Sequence, residues 1–157
     1  MAIFAKFDKI KGSATDDAHK DQIELLSFSW GASRAMMMQG SRRESSHPST
    51  SEVQITKHQD VSSNKLLMDL YKGTANNKVE ISFTTMNAGK PEQYMLLKLE
   101  DAAVSSYQIS DAESGGRATE SLSISFLKFS VTTKSIDSAG KSSPDTVGWD
   151  LAANKSS

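Results

Sequence analysis

The 157-residue chain contains no cysteine. That excludes disulfide scaffolds, thiolate nucleophiles and thiolate-bound metals. It also lacks net charge: 18 basic residues face 19 acidic ones, for a total of −1. A nucleic-acid binder that relies on a broad basic face is therefore not expected. No apolar run approaches the ~18 residues of a membrane span. The start, Met1 to Lys9, lacks the unbroken apolar stretch of about 7–15 residues that a secretory signal needs. The expectation is a chain folded in the cytoplasm, with no membrane insertion, whose export would use a route that reads no signal peptide. Large apolar side chains are scarce too. Leu, Ile, Val and Phe number 31, about 20% of the chain, at the edge of the disordered range. Disorder also wants high net charge, which is absent. The surplus is serine, with 26 residues. One domain, 1–157, fits this length. A thin core with small polar groups to spare suits a domain that completes its burial against another chain.

What is present reads mostly as strand. Ile3, Ala5 and Phe7 share one face of a first strand. In the stretch from Gln22 to Gly31, the apolar parity switches. Ile23 and Leu25 are odd, whereas Leu26, Phe28 and Trp30 are even and are expected to face the core. The same switch recurs between Leu122, Ile124, Phe126 and Leu127, Phe129, Val131. A strand has period two, so each switch exchanges its buried face at a bulge, as a strand rounding a barrel corner does. Val53, Ile55 and Lys57 alternate with Gln54, Thr56 and His58. Tyr94 to Leu99 is apolar on both faces and reads as a central strand. One helix, about 62–73, is predicted from the spacing of Leu66, Leu67, Leu70 and Tyr71, from caps at Asp60, Ser62 or Ser63, and from Gly73 at its end. The segment 39–52 has no periodicity and reads as a long loop. The tail is polar except for a docking segment, Val147 to Leu151. The fold class is mainly β: a small closed or nearly closed barrel with one helix.

Motifs for chemistry are absent. There is no G-x-G-x-x-G, no G-x-x-x-x-G-K-[ST] and no G-x-S-x-G. His19, His47 and His58 lie in separate segments, so a hydrolase would have to assemble in three dimensions. Asp16, Asp17, His19 and Asp21 lack the spacing of a calcium loop and read as a solvated loop. No catalytic residue, metal or cofactor is assigned. Met36-Met37-Met38 reads as core filling and strand-edge packing, with an adaptable binding surface as the alternative. Trp30 and Trp149 are packing or interface anchors. Ser27 and Ser29, and likewise Ser121, Ser123 and Ser125, lie opposite apolar faces. They form hydroxyl stripes suited either to solvent or to a weakly binding wetted surface.

Several strings together resemble the hemolysin-coregulated protein (Hcp) family of type VI secretion. They are Lys11-Gly12-Ser13-Ala14, His19 in the next loop, Phe28-Ser29-Trp30-Gly31, the run Thr56-Lys57-His58-Gln59-Asp60-Val61-Ser62-Ser63-Asn64-Lys65-Leu66, and Gly148-Trp149-Asp150. Their order and spacing span nearly the whole chain. The resemblance implies a non-enzymatic tube subunit. Six copies would close a ring with a wide channel, and rings would stack into a tube inside a contractile sheath. Contraction would expel the tube, tipped by a VgrG-type spike, with secreted effectors carried in the lumen. The protein would thus be cytoplasmic when made and extracellular later, with no fused effector domain. Ser27 and Ser29 are the expected lumen-facing residues. Arg42, Arg43, Glu44 and His47 would guide ring stacking from the long loop. The competing expectation is a monomeric binding or chaperone module of the same fold.

Overall fold

Alternating apolar residues resolve into strands β1 (Ala2–Phe7), β2 (Ile23–Leu25), β3 (Ser27–Ser29), β4 (Ala32–Ser33), β5 (Met36–Gln39), β6 (Arg42–Ser45), β7 (Ser49–Thr50) and β8 (Val53–His58). The one helix among the described residues, α1 (Ser63–Lys72), follows. Then come β9 (Asn77–Asn87), β10 (Lys90–Ser110), β11 (Thr119–Ser125), β12 (Lys128–Ile136), β13 (Ser142–Asp150) and β14 (Lys155–Ser156). The computed structural model describes residues 1–136 and 142–157; the side chains at 43–45, 136 and 142 lie outside that description. The polar tail expected from Ser135 therefore falls in part, at 137–141, outside the described residues.

The ladders build two sheets that share strands. The first runs β2-β1-β9-β10-β12-β13-β14, and the second runs β10-β11-β8-β3. β10 belongs to both. Its first half pairs with β9 and β12, and its second half pairs with β11. Between the halves Asp101 adopts φ of +51°, in the left-handed region, as the pairing with β9 shifts register. The opposite corner is turned at Leu26, between β2 and β3. The result is a barrel-like wrap held together at these two corners; the ladder does not close on itself among the described residues, so of the closed or nearly closed barrel expected, the closed form is not found.

The two parity switches sit at these corners. Ile23 and Leu25 are buried before the first, and Leu122, Ile124 and Phe126 before the second. Phe28, Phe129 and Val131 pack against the core after them. Leu26 and Leu127 are the pivots themselves, and they are 51% and 47% exposed. This corrects the expectation that Leu26 faces the core. A corner residue belongs to neither face, and its backbone is spent on the turn: the Leu26 N–H reaches Thr56 O at 2.7 Å, and the Leu127 N–H reaches Glu100 O at 3.2 Å.

The helix matches its expected span to within a residue. Ser62 is its N-cap, with no side-chain cap bond to the first turn; Asp60 fixes the entry instead, its carboxylate accepting the Ser62 N–H at 2.9 Å and the Ser62 hydroxyl. Gly73 closes it in the left-handed conformation, φ +60°, with its N–H on Asp69 O at 2.9 Å. Leu66 drives the inner face fully into the core.

Gly12 has a specific steric cause. Its N–H bonds Asp21 O at 2.7 Å, which draws the two loop arms together. A Cβ at this position would lie 2.3 Å from Gln22 O and 2.5 Å from Gln22 C. Backbone cannot yield as a flexible side chain can. Gly12→Ala is expected to lower stability by about 1–3 kcal/mol, the usual cost of overpacking, read as a lower urea midpoint with an unchanged slope.

Candidate functional site

The outer face of the second sheet gathers the serine stripes. Ladder register aligns Ser27, Thr56, Ser121 and Gln108 in one row, and Ser29, Gln54, Ser123 and Ser106 in the next. Eight small hydroxyl and amide groups thus tile four strands without a charge. Ser27 Oγ and Thr56 Oγ1 are 2.6 Å apart, so neighbours satisfy each other within the row. Charge returns beside the start of β8 at Glu52, whose carboxylate accepts the Ser105 hydroxyl at 2.5 Å. Strand order brings together the two stripes that parity had marked. Gln54, Thr56, Ser106 and Gln108 were not marked beforehand; Gln54 and Thr56 alternate with buried Val53 and Ile55, whereas Ser106 and Gln108 flank the half-buried Tyr107.

The inner face of the same strands carries what their outer face lacks. Lys57 and Glu120 are direct cross-strand partners, both fully buried, with Nζ 2.5 Å from Oε2. Lys57 Nζ also reaches Asp60 Oδ1 at 3.0 Å, His58 O at 2.9 Å and Ser63 Oγ at 3.3 Å. Glu120 accepts the Ser63 hydroxyl at 3.0 Å and the Tyr107 hydroxyl on its other oxygen. The Asp60 N–H donates to Ser63 Oγ at 3.0 Å. Each buried charge is therefore met on several sides, the condition under which such a pair is tolerated. Burial alone would raise the Asp60 pKa, but hydrogen bonds from Ser62 and Lys57 hold it below the ordinary value. Burial, reinforced by Glu120, pushes the Tyr107 phenol up to about 12. The run from Thr56 to Leu66 thus has a physical role: it supplies the cation, the cap and the hydroxyls of one network, and then the buried Leu66. Glu120 and Tyr107 escaped the sequence reading. The available signal was a charged residue holding the apolar phase of its strand, Lys57 after Val53 and Ile55, and Glu120 before Leu122 and Ile124.

A hairpin arm leaves the barrel where Gly31 and Ser51 bond each other, Ser51 N to Gly31 O at 2.9 Å. β4 pairs with β7, and β5 with β6, around a Gly40-Ser41 turn in which Gly40 takes φ +64°. The segment 39–52 therefore contains two strands in place of the expected loop. Met36, Met37 and Met38 are 57%, 71% and 70% exposed. They do pack a strand ladder, but the expectation that they fill core is overturned. Arg42 is exposed. Arg43 and Glu44 lie on β6 with side chains outside the described residues. His47 sits at the arm's base, its Nδ1 3.1 Å from Asn154 Nδ2.

The remaining candidates are dispersed. Trp30 meets Phe126 and Phe129 edge-on, with centroids 6.2 and 4.9 Å away, and so packs the corner. Trp149 is half-buried on β13, opposite Phe129. His19 stacks on Phe4 at 4.4 Å, far in the chain from His47 and His58. Asp16 Oδ1 caps its own loop through the N–H groups of Ala18 and His19. Among the described residues no three His, Asp or Glu side chains gather to hold a metal ion, and no helix is long and apolar enough to cross a membrane.

These features define a small barrel-like β protein with one flanking helix, a projecting hairpin arm and an uncharged sheet face. A family model described as "Type VI secretion system effector, Hcp" matches residues 4–133. A solved structure titled as a type six secretion system protein superposes with a TM-score of 0.90, at 31% identity, over 99% of both chains. Hcp1 from Salmonella typhimurium superposes at 0.78 with 23% identity, over 99% of this chain and 98% of that one. Protein hcp1 of Pseudomonas aeruginosa is 26% identical, over 97% of this chain and 96% of the relative. The chain belongs to the Hcp family of the type VI secretion system.

The buried network makes a stability prediction. Lys57→Met leaves Glu120 and Asp60 uncompensated and is expected to cost about 3–5 kcal/mol. Adding Glu120→Leu should recover much of that loss, a coupling read from a double-mutant cycle in urea. The pH signs follow from the two shifts. The Asp60 contribution is present above the ordinary carboxylate pKa of about 3.9 and is lost as pH falls below it. The Tyr107 contribution is present below the ordinary phenol pKa of about 10 and is lost as pH rises toward 12.

Proposed function

We propose that this chain is the structural subunit of the type VI inner tube, without catalysis. Six copies form a ring, rings stack head-to-tail, and sheath contraction expels the tube, tipped by a VgrG-type spike, into a target. The carrying observation is the uncharged face of the second sheet, on a chain of this family. Ser27 and Ser29, with the six residues aligned beside them, line the channel of the ring. A neutral, hydroxyl-rich lining holds diverse effectors weakly, so their release costs little.

Ring closure has a backbone basis. Among the described residues the second sheet has two edges with no partner strand: the free side of β3, and the stretch Ser105–Ser110 of β10, where pairing with β9 has ended at Ala102. Edge strands seek partners. Joining one copy's β3 edge to the next copy's β10 edge is a head-to-tail contact, and such a contact closes a ring when the rotation fits. Four strands from each of six copies, spaced about 4.8 Å apart, give a circumference of about 115 Å and a channel about 37 Å across. The hairpin arm, with Met36 to Met38, Arg42, Arg43, Glu44 and His47, reaches to the next ring. Methionine suits that role because its flexible thioether adapts to a facing surface. The protein is made in the cytoplasm and leaves through the type VI machine.

Light scattering should give a mass six times 17.0 kDa. A 17.0 kDa species at every concentration would contradict the ring and favour the monomeric binding or chaperone module. Ser29→Gln should keep the ring mass but change effector retention; unchanged retention and unchanged channel accessibility would remove Ser29 from the lining.

A further inference from the structure

The helix α1 borders a groove of about 510 Å³ that is also lined by Lys9, Ile10, Asp69 and the loop that follows Gly73. Lys65, Met68 and Lys72 fall at i, i+3 and i+7, so they form one stripe along its wall. Met68 is 50% exposed there, although its neighbour Leu66 is fully buried. The acid that would ordinarily neutralise this stripe is Asp69, four residues after Lys65 and three before Lys72. It also lines the groove, but both of its carboxylate oxygens are already engaged within the fold. Oδ1 accepts Asn77 Nδ2 at 2.7 Å, and Oδ2 accepts the Val104 N–H at 3.0 Å. Lys9, also in the lining, donates from Nζ to Asn76 Oδ1 at 2.8 Å. Among the described residues none of these three ammonium groups has a carboxylate within 4.0 Å.

We infer that this groove is a docking site for an acidic segment of a partner protein, one that carries an apolar anchor between its carboxylates. The charge argues for carboxylates: three cations and one acid, Asp69, line the surface, and that acid is bonded to Asn77 and Val104 rather than to any of the three, while the chain as a whole carries −1. The apolar part of the lining argues for the anchor, since a purely electrostatic surface has no use for an exposed methionine and Ile10. The volume lies in the range of about 300–1,000 Å³ typical of ligand clefts. The inference does not rest on ring formation, and a failed ring measurement would leave it standing.

The test uses the full chain and a short fluorescein-labelled peptide in which Asp and Glu flank a central Leu-Leu pair, followed by anisotropy at low and physiological salt. Binding should weaken with salt, as rim charges do. Lys65→Glu with Lys72→Glu should weaken it at least tenfold, and Met68→Ser severalfold, with the urea midpoint and scattering mass unchanged. Absence of binding would overturn the proposal. So would equal affinity for a peptide with Gly-Gly in place of the Leu pair, or for a DNA oligonucleotide, since either marks a general polyanion surface. Loss of ring mass in Met68→Ser would assign the face to a second copy of the chain and would overturn it as well.

Discussion

A lysine and a glutamate face each other across β8 and β11 with no access to water, and the distribution of polarity in the second sheet follows from them. Strands in a one-sided sheet ordinarily place charge outside and apolar groups inside. Here the order is reversed at one level: Lys57 and Glu120 lie inside, while Gln54, Thr56, Ser121 and Ser123 form an uncharged exterior. Burying two ions costs several kcal/mol each, which the pair alone does not recover. Recovery comes from the groups around it. Asp60, Tyr107 and the His58 carbonyl each bond one of the two ions, and Ser63 bonds both. Because they come from β8, the start of α1, β10 and β11, the network also fixes where the helix sits against the sheet. A correctly satisfied network tolerates one arrangement, so it specifies register as well as holding it.

The corners have a comparable economy. A chain with so few large apolar residues cannot fill two wide sheets, and the barrel-like wrap spreads its core along strands that serve both. β2 with β3, β10, and β11 with β12 each pack one face and then the other, so the same residues contribute twice to enclosure. The exposed Leu26 and Leu127 mark where that exchange occurs. Among the described residues the second sheet is left with two unpaired edges and a neutral face. Both are liabilities in an isolated monomer, and both become useful in a ring.

Much of this was legible in the sequence, for local reasons. Period two identified the strands, parity switches identified the corners, and Asp60 with Gly73 bounded the helix. These signals are carried by residues close together in the chain. What escaped notice depends on strand order. Lys57 was visible in its alternation, but its meaning required Glu120, 63 positions away and brought opposite it only by the β8–β11 register. The eight-residue face likewise needed four strands placed in order before Ser27 and Ser121 met in one row. The segment 39–52 was read as a loop because its Ser-rich return has no apolar period; its pairing with the methionine strand comes from the Gly40-Ser41 turn. Leu26 was assigned to the core because a pivot residue matches either parity.

The central claim is that the uncharged face lines the channel of a six-membered ring. The absence of cysteine allows a direct measurement. Ser123→Cys places one thiol in the middle of that face, and a maleimide-gold label on it can be located by electron microscopy of the purified protein. The account predicts six-fold rings with label density inside the central hole. Label on the outer wall of such rings, or particles without six-fold symmetry, would contradict it.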